Sequence, residues 1–366
     1  MSILRHFCPE VQVEPNTETD QRPILEVRDL KTYFETERGV IRAVDGVSFT
    51  VARAKIIGVV GESGSGKTVL SRSIMGLLPR QGTIRSGEVI FDGRNISDLS
   101  EHEMRALRGL QISMVFQDSL SSLHPVVKVG RQITEVLEFH WGIKTSEARP
   151  KALELLRAVE VPDPERRLRE YPHQLSGGMR QRVAIAMALA CGPKLLLADE
   201  PTTALDVTVQ AHVLDLLQDL QEKNGMAMIL VTHDLGVVAG RADEIIVMYA
   251  GRVVERAPTR ALFRDMQMPY TEALLRSVPQ MDGPPHSTFV TIGGRPPELS
   301  NPPPGCRFSP RCSRARERCH TEEPPLMPGP TAGHWFACWF PLGGQPVDTS
   351  AAALPASAAG EPNGAG

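Results

Sequence analysis

The hydrophobic and polar positions of this chain predict two strands near the N-terminus, followed by alternating strands and helices. Segments 24–30 and 44–51 are typical of strands, joined by a Glu-Arg-Gly turn at 37–39. Beyond them, apolar runs predict buried strands at 56–60, 110–116, 194–199, 226–232 and 243–249. Helical patterns follow at 68–78, 130–141, 148–161, 179–189 and 207–223. Such alternation predicts an α/β fold with a parallel sheet covered by helices.

Changes in composition divide the chain into four parts. Residues 1–22 are polar and aperiodic, which predicts a loose N-terminal arm. Residues 23–278 carry the strand and helix pattern, with an inserted helical subdomain expected at about 120–190. From 279 to 342 the chain is rich in Pro, Gly, Arg and Cys, which predicts a C-terminal extension. Residues 343–366 are rich in Ala, Pro, Gly and Ser, which predicts a disordered tail.

Composition and charge are those of a globular protein that is expected to stay in the cytosol. The 366 residues are 41% hydrophobic and 23% charged, and the net charge of −3 gives no support to nucleic-acid binding. The sequence has no apolar run of the roughly 18–20 residues that span a membrane, and its N-terminus lacks a signal-peptide pattern. We therefore expect membrane association only through a partner. The six cysteines are expected to be free, catalytic or metal-bound, because cytosolic thiols are reduced.

A phosphate-binding pattern lies between a predicted strand and a predicted helix. Residues 61–68 read GESGSGKT, which matches the P-loop pattern in the strand–loop–helix context that the motif requires. Backbone N–H groups would wrap the phosphates, Lys67 would place a positive charge on the β- and γ-phosphates, and Thr68 would offer a hydroxyl to Mg²⁺. We call this segment the phosphate loop, and its predicted ATP-binding residues are Gly61, Glu62, Ser63, Gly64, Ser65, Gly66, Lys67 and Thr68.

A second candidate anion site lies at the start of the helix predicted at 179–189. Residues 175–182, which we call the signature segment, read LSGGMRQR. Ser176 and the following N–H groups would lie at a helix N-terminus, where unpaired donors and the helix dipole attract anions. In isolation the segment would more simply be a helix start capped by Ser176. The phosphate loop in the same chain favours anion binding.

An apolar strand that ends in two acidic residues supplies further candidate chemistry. Residues 195–200 read LLLADE, and ligands gather at the carboxyl ends of buried parallel strands. Asp199 would hold Mg²⁺ through water, and Glu200 would act as the general base or orienter of the attacking water. The alternative is that Glu200 only caps the next helix.

One chain that carries the phosphate loop, the signature segment and these two acids resembles the ATP-binding subunit of ATP-binding cassette (ABC) transporters. The resemblance implies a RecA-like parallel-sheet core, an antiparallel β subdomain and an inserted helical subdomain. It also implies that the signature segment binds the ATP held by a partner subunit, so that neither chain hydrolyses ATP alone. The residues implied in that contact are Leu175, Ser176, Gly177, Gly178 and Gln181.

The same resemblance assigns roles to several separate positions. Gln117, after the strand at 110–116, would contact Mg²⁺ or the lytic water, and His233 would contact the γ-phosphate. Asp206 would belong to the loop that couples two sites across a dimer. Adenine would stack on Tyr33 or Phe34, of which the family pattern favours Phe34; core packing is the alternative. The implied catalytic residues are Lys67, Gln117, Glu200 and His233, and the implied magnesium ligands are Thr68, Gln117 and Asp199.

Four cysteines in the C-terminal part narrow the family. Residues 296–312 read PPELSNPPPGCRFSPRC, and this part resembles the C-terminal extension of oligopeptide and dipeptide importer ATPases. Cys306, Cys312, Cys319 and Cys338 are separated by 5, 6 and 18 residues, spacings that by themselves identify no metal. Because some relatives carry a 4Fe–4S cluster here, the resemblance favours that cluster, with Zn²⁺ or unliganded thiols as alternatives.

Arginines interleave with these cysteines and suggest an electrostatic role. A metal site with four thiolates is negatively charged, so nearby guanidinium groups would offset that charge. We hypothesise that some of them hydrogen-bond the sulfurs or neighbouring carbonyls, and a solvated basic face is the alternative. The residues concerned are Arg307, Arg311, Arg314, Arg316 and Arg318.

The resemblance implies a peripheral ATPase subunit, at the cytoplasmic face of the inner membrane, that drives import of short peptides. It would pair with a homologous ATPase, with a heterodimer favoured, and dock on two transmembrane permease subunits through residues 120–172. An extracytoplasmic peptide-binding protein would be an indirect partner. ATP and Mg²⁺ are the expected cofactors. Nickel or another small solute stays open as the cargo, because this subunit never touches it.

Two other function classes are weighed against this interpretation. A non-transport ABC ATPase acting on nucleic acid or ribosomes would be expected to show long coiled-coil insertions, tandem cassettes or basic arms, and the sequence has none. A stand-alone P-loop kinase or GTPase is disfavoured by the signature segment and by the helical insertion.

Overall fold

The computed structural model describes most of the chain, in the ranges 22–37, 39–118, 122–203, 205–278 and 292–344. Almost all of the arm predicted at 1–22 lies outside these residues. So do the first part of the extension and nearly all of the tail predicted at 343–366. In the part of the chain that is described, no helix combines the length and the apolar character needed to cross a membrane.

The described strands form two sheets. In chain order they are β1 (Leu25–Thr36), β2 (Gly39–Val51), β3 (Ile56–Val60), β4 (Thr83–Phe91), β5 (Arg94–Asn95), β6 (Ile112–Val115), β7 (Leu195–Asp199), β8 (Ala227–Thr232), β9 (Glu244–Tyr249), β10 (Arg252–Pro258), β11 (Met327–Pro328) and β12 (Trp335–Phe336). An antiparallel sheet has the order β2-β1-β4-β5. The second sheet has the order β11-β12-β10-β9-β3-β8-β7-β6, and its strands β9, β3, β8, β7 and β6 run parallel.

Helices cover the parallel strands and form the insertion between β6 and β7. In chain order they are α1 (Lys67–Ile74), α2 (Glu101–Leu107), α3 (Val129–Trp141), α4 (Thr145–Ala158), α5 (Pro164–Arg167), α6 (Gly177–Leu189), α7 (Val207–Asn224), α8 (Leu235–Ala239), α9 (Thr259–Arg264), α10 (Pro269–Arg276) and α11 (Glu317–Thr321). Short 3₁₀ turns lie at Pro172–Gln174 and Ser309–Arg311. Helices α3 to α6 fall within the residues predicted for the helical subdomain.

The parallel strands form because their sequences are apolar on both faces. Every residue of β3, β7 and β8 is buried, as expected for strands that helices cover on both sides. The α/β class and the parallel core are therefore confirmed. Since the carboxyl ends of β3, β7 and β8 lie side by side, the residues that follow them meet at one edge of the sheet.

Several elements differ from the prediction for identifiable reasons. Strand β2 begins at Gly39, before the segment predicted at 44–51. The prediction missed this start because the first four residues of the strand alternate little and are exposed or half-buried. Strand β4 was not predicted, because its first six residues are mostly exposed and only its last three pack inward. It pairs with β1 along most of its length, so tertiary pairing rather than local pattern makes it a strand.

The C-terminal extension packs into the main core. Strand β12 pairs with β10, so the extension adds strands to the edge of the second sheet. Phe308 packs against Tyr249 and Tyr270, with ring centroids 5.3 Å apart in both cases. Glu255 of β10 is fully buried and lies 2.9 Å from the ring nitrogen of the buried His334. The extension thus shares the core of the ATPase domain.

Candidate active site

Two glycines of the phosphate loop hold it against neighbouring backbone. Gly61 and Gly66 have φ values of 155° and 101°, in the region that side chains disfavour. A Cβ at Gly61 would lie 2.2 Å from the carbonyl oxygen of Met248, and one at Gly66 would lie 2.2 Å from that of Ala43. Only glycine fits at these two positions, so the loop can wrap closely before α1 begins at Lys67.

Lys67 lies buried at the centre of the site. Its Nζ donates to the carbonyl oxygens of Gly61 at 2.7 Å and Glu62 at 3.0 Å, and lies 3.9 Å from Glu200 Oε1. Burial lowers the pKa of Lys67, while the carboxylates of Glu200 and Asp199 oppose that shift. The ammonium is thus held between the phosphate loop and the two acids, and its contact with phosphates stays a prediction.

Asp199 and Thr68, two of the predicted magnesium ligands, are hydrogen-bonded to each other, and magnesium binding by them stays a prediction. Asp199 ends β7 and is 1% exposed, and Thr68 Oγ1 donates to its Oδ1 at 3.1 Å. Burial raises the pKa of Asp199, the hydrogen bond from Thr68 opposes the shift, and the neighbouring Glu200 carboxylate adds to it. A hydroxyl and a carboxylate side by side are the oxygen ligands that Mg²⁺ prefers.

Glu200 is the residue on which the other predicted catalytic groups converge. Its carboxylate accepts hydrogen bonds from Gln117 Nε2 and Thr203 Oγ1, each at 3.0 Å, and lies 3.4 Å from His233 Nδ1. The His233 contact is the main cause that lowers the pKa of Glu200, and Glu200 raises the pKa of His233 in turn. With Lys67 at 3.9 Å, the four predicted catalytic residues form one cluster.

Glu200 is not the cap of the helix that follows it. Its φ of 46° lies in the left-handed region, which is unusual for a residue other than glycine. The side chain that caps the next helix, α7, is that of Asp206, which accepts from the N–H of Val209 at 2.9 Å. The alternative role considered for Glu200 is therefore wrong. The coupling role implied for Asp206 stays a prediction.

The signature segment begins helix α6 as predicted. Ser176 is exposed, and its Oγ accepts from the N–H of Met179 at 3.3 Å, which makes it the cap of this helix. A Cβ at Gly178 would lie 2.7 Å from Val209 Cγ1, so α6 packs closely on α7. Leu175 and Gln181 are buried. Within the signature segment, the side chain of Ser176 is therefore exposed at the surface. Its contact with the ATP of a partner subunit stays a prediction.

The structure separates the two candidates for stacking on adenine. The Tyr33 hydroxyl donates to Asp45 Oδ1 at 2.6 Å, and burial raises the pKa of Tyr33 to about 12. Tyr33 is thus anchored to the scaffold through Asp45. Phe34 is the next residue on β1 and is half-buried. Successive side chains of a strand point to opposite faces, so at most one of the two faces the nucleotide, and Phe34 stays the predicted one.

The four C-terminal cysteines line one small cavity, which we call the thiol cavity, together with Phe308 and Trp339. Burial raises the pKa of Cys312, and it brings that of Cys306 to about 11 and that of Cys338 to about 12. Within the described ranges, however, no three or more His, Cys, Asp or Glu side chains are placed to hold a metal ion. The structure thus brings the four predicted residues together around one cavity but, in the residues that it describes, shows no metal site there, neither for Zn²⁺ nor for a 4Fe–4S cluster.

Two of the five arginines have partners other than those hypothesised. Arg307 forms a buried ion pair with Asp45, and Arg311 pairs with Glu62 of the phosphate loop. Their guanidinium groups therefore neutralise carboxylates of the ATPase domain instead of sulfurs. Arg318 lies over the Trp339 ring at 3.7 Å. Local sequence patterns do not indicate these partners, because the paired residues are far apart along the chain.

Two further residues of the site were not predicted. Thr203 reaches Glu200 as described above, and the Tyr270 hydroxyl accepts from the N–H of Glu62 at 2.8 Å. Thr203 follows the acidic pair closely in sequence, so its position near the site could have been expected. Tyr270 gave no signal, since its role depends on helix α10 lying beside the phosphate loop.

Two family models match the chain. The model described as ABC transporter matches residues 44–203, and the model described as oligopeptide/dipeptide transporter, C-terminal region, matches residues 254–319. The first match contains the phosphate loop, the signature segment and both acids. The second contains Cys306, Cys312 and Cys319.

Curated relatives match over nearly their whole length. The probable peptide ABC transporter ATP-binding protein y4tR of Sinorhizobium fredii is 51% identical, covering 86% of this chain and 94% of the relative. The oligopeptide transport ATP-binding protein AppD of Bacillus subtilis is 50% identical, covering 83% and 93%. The dipeptide transport ATP-binding protein DppD of Escherichia coli is 47% identical, covering 87% and 97%.

Solved structures share the fold of the ATPase part. The dimeric post-hydrolysis state of the ATP-binding cassette MJ0796, bound to ADP and Pi, superposes with a TM-score of 0.58 and is 31% identical. The match covers 64% of this chain and 99% of the MJ0796 chain. The protein cbiO1 from Clostridium perfringens superposes with a TM-score of 0.56 at 28% identity, covering 66% and 91%.

Proposed function

The chain belongs to the ABC transporter ATP-binding proteins of the oligopeptide/dipeptide type, and from that premise we propose how its residues carry out the family's reaction. It hydrolyses ATP and thereby energises the import of peptides. The observation that carries the assignment of residues is the convergence of Lys67, Gln117 and His233 on Glu200. Such a cluster beside a phosphate loop serves the transfer of the γ-phosphoryl group to water.

We propose a separate role for each residue of the cluster. Lys67 neutralises the β- and γ-phosphates, and Mg²⁺, held by Thr68, Asp199 and Gln117, supplies further positive charge when it is bound. Glu200 accepts the proton of the attacking water. His233, which lies 3.4 Å from Glu200, orients that carboxylate and faces the γ-phosphate. Because phosphoryl transfer needs mainly positioning and charge stabilisation, these contacts supply what the reaction requires.

We propose that the second half of each ATP site comes from a partner subunit. Ser176 is exposed at the N-terminus of α6, and the half-buried Gly177 and Gly178 supply N–H groups beside it. An anion brought to that helix end by a partner would be bound by these groups. We infer a homologous ATPase as this partner, with a heterodimer favoured. Residues 120–172 would dock on two permease subunits at the cytoplasmic face of the membrane. An extracytoplasmic peptide-binding protein would deliver the peptide to those permease subunits.

Peptide uptake by cells tests this function. Cells that lack this chain are expected to lose uptake of labelled short peptides, and the chain restores it. A Lys67→Ala variant is expected to fail, because the phosphates lose their buried counter-charge, and a Lys223→Ala variant, altered at an exposed lysine of α7, serves as the control. If cells that lack this chain lose uptake of nickel but keep uptake of peptides, the assignment of peptides as cargo is contradicted.

We further propose that the thiol cavity holds a 4Fe–4S cluster. The support is that Cys306, Cys312, Cys319 and Cys338 line one cavity although they are spread over the extension. Four thiolates are the ligand set of such a cluster, whose sulfur ligands lie further apart than those around a single ion. Bound there, the cluster would tie β12 to the segment that carries Arg307 and Arg311.

Iron content tests the cluster. Protein purified without oxygen is expected to contain iron and sulfide and to be brown, and Cys312→Ser is expected to lose most of both. The matched control is Cys191→Ser, which alters a buried cysteine outside the thiol cavity. Iron and colour that are absent from the parent protein, or equal in the parent and Cys312→Ser, would contradict the proposal.

A further inference from the structure

An arginine of the C-terminal extension is bound to the phosphate loop. Arg311 Nη1 donates to Glu62 Oε2 at 2.6 Å, and Nη2 donates to Oε1 at 2.9 Å. One guanidinium thus bridges both oxygens of the carboxylate, the strongest arrangement for such a pair. Since Glu62 is the second residue of the phosphate loop, the contact joins the extension directly to the element that binds ATP.

The guanidinium is fixed on all sides. The Arg311 side chain is 3% exposed, and its remaining donors bind the carbonyl oxygens of Gly293 at 2.8 Å and Ile292 at 3.1 Å and the hydroxyl of Tyr249 at 3.2 Å. These acceptors lie in the extension and at the end of β9. The position of the positive charge is therefore set by the fold, and a flexible side chain could not replace it without loss.

The extension also supports the backbone of the phosphate loop. The N–H of Glu62 donates to the Tyr270 hydroxyl at 2.8 Å. The Tyr270 ring packs against Phe308, which belongs to the extension, and against Tyr249 with centroids 4.5 Å apart. Both the side chain and the backbone of Glu62 thus rest on groups that the extension holds in place.

The charge of Glu62 bears on ATP binding. Its carbonyl oxygen accepts from Lys67 Nζ at 3.0 Å, and its carboxylate is one of the charges that raise the pKa of Lys67. An unpaired carboxylate on the phosphate loop itself would repel the negative charge of a triphosphate. The Glu62 side chain is 25% exposed, so solvent and salt screen this repulsion only in part. The positive charge of Arg311 neutralises the Glu62 carboxylate, which would otherwise repel the phosphates of ATP.

We propose that Arg311 is a positioning residue for ATP. By neutralising and orienting Glu62 it keeps the phosphate loop receptive to the triphosphate, and it thereby makes ATP affinity depend on the folded C-terminal extension. The inference rests on the ATP site proposed above. It assigns to the extension an effect on nucleotide binding in addition to its structural contacts.

A second anchor keeps the extension in place when this contact is removed. Arg307 is buried, pairs with Asp45, and donates to the carbonyl oxygen of Ala250 at 2.5 Å. Strand β12 also remains paired with β10. Removal of the Arg311 charge is therefore expected to change the phosphate loop without releasing the extension. The emission of Trp335 and Trp339, both in the extension, reports whether this holds.

Equilibrium binding of a fluorescent ATP analogue to the full chain tests the proposal. Arg311→Gln is expected to weaken binding by about tenfold, and Glu62→Gln introduced into that variant is expected to restore it to within about threefold of the parent. Arg311→Lys, which keeps the charge but cannot bridge both oxygens, is expected to fall between Arg311→Gln and the parent. In steady-state ATPase assays of the assembled transporter, KM for ATP is expected to rise with kcat nearly unchanged.

Arg295→Gln makes the same change of charge at an exposed arginine of the extension and is the matched control. Parent-like binding by Arg311→Gln would overturn the proposal. A loss of affinity that Glu62→Gln does not relieve would also overturn it, whether or not the tryptophan emission has changed. Failure of the parent protein to bind ATP, or parent-like binding by Lys67→Ala, would instead contradict the proposed ATP site.

Discussion

Glu200→Gln is expected to lower kcat for ATP hydrolysis by about 10²- to 10⁴-fold while ATP still binds. The carboxylate of Glu200 lies in contact distance of Gln117, His233 and Lys67. The substitution removes this carboxylate, and with it the proposed proton acceptor for the attacking water. An amide keeps the size and can accept the hydrogen bonds from Gln117 and Thr203, but it cannot take a proton. The substitution therefore separates the chemical step from binding.

Single-turnover hydrolysis by the assembled transporter measures this effect, with ATP affinity measured in parallel. Because ATP is bound but not cleaved, the variant is also expected to accumulate as an ATP-dependent dimer in size-exclusion chromatography. Glu222→Gln, a matched change at an exposed position of α7, is the control and is expected to turn over like the parent. Turnover of Glu200→Gln within about threefold of the parent would rule out the general-base role, which contributes orders of magnitude.

The positions of the candidate site residues were predictable because these residues follow short segments with strong local patterns. The strand before the phosphate loop and the strand that ends at Asp199 are continuously apolar, so their burial and their parallel pairing follow from sequence. Parallel pairing then places Thr68, Asp199 and His233 at one edge of the sheet. The left-handed backbone of Glu200 was not predictable, since nothing in a glutamate residue favours that conformation.

The surroundings of the site were less predictable because they depend on contacts between distant segments. Strand β4 has a mostly polar sequence and becomes a strand by pairing with β1. Arg311 and Glu62 are separated by 249 positions, and local patterns of charge hold no information about such a pair. The arginines lie next to the cysteines in sequence, which suggests the cysteines as partners, whereas two of the arginines bind carboxylates of the ATPase domain.

Ser176→Arg is expected to abolish ATP turnover of the assembled transporter, by at least about a hundredfold, while the variant chain still binds ATP at its own phosphate loop. Ser176 is exposed and lies at the N-terminus of α6, where its side chain accepts a hydrogen bond from Met179. An arginine there fills the space in front of the N–H groups of Gly177 and Gly178. The partner's ATP then loses the donors that stabilise its γ-phosphate in the transition state, and closure of the dimer is blocked.

The control for this variant isolates the loss of the helix cap. Ser176→Ala removes the hydrogen bond to the N–H of Met179 without adding bulk, and it is expected to lower the free energy of unfolding by about 1 kcal/mol. ATP affinity of the isolated chain is expected to stay within about threefold of the parent in both variants, since the phosphate loop is untouched. Loss of ATP binding in Ser176→Arg would mean that the signature segment serves the ATP of its own chain, which would contradict a site shared between two subunits.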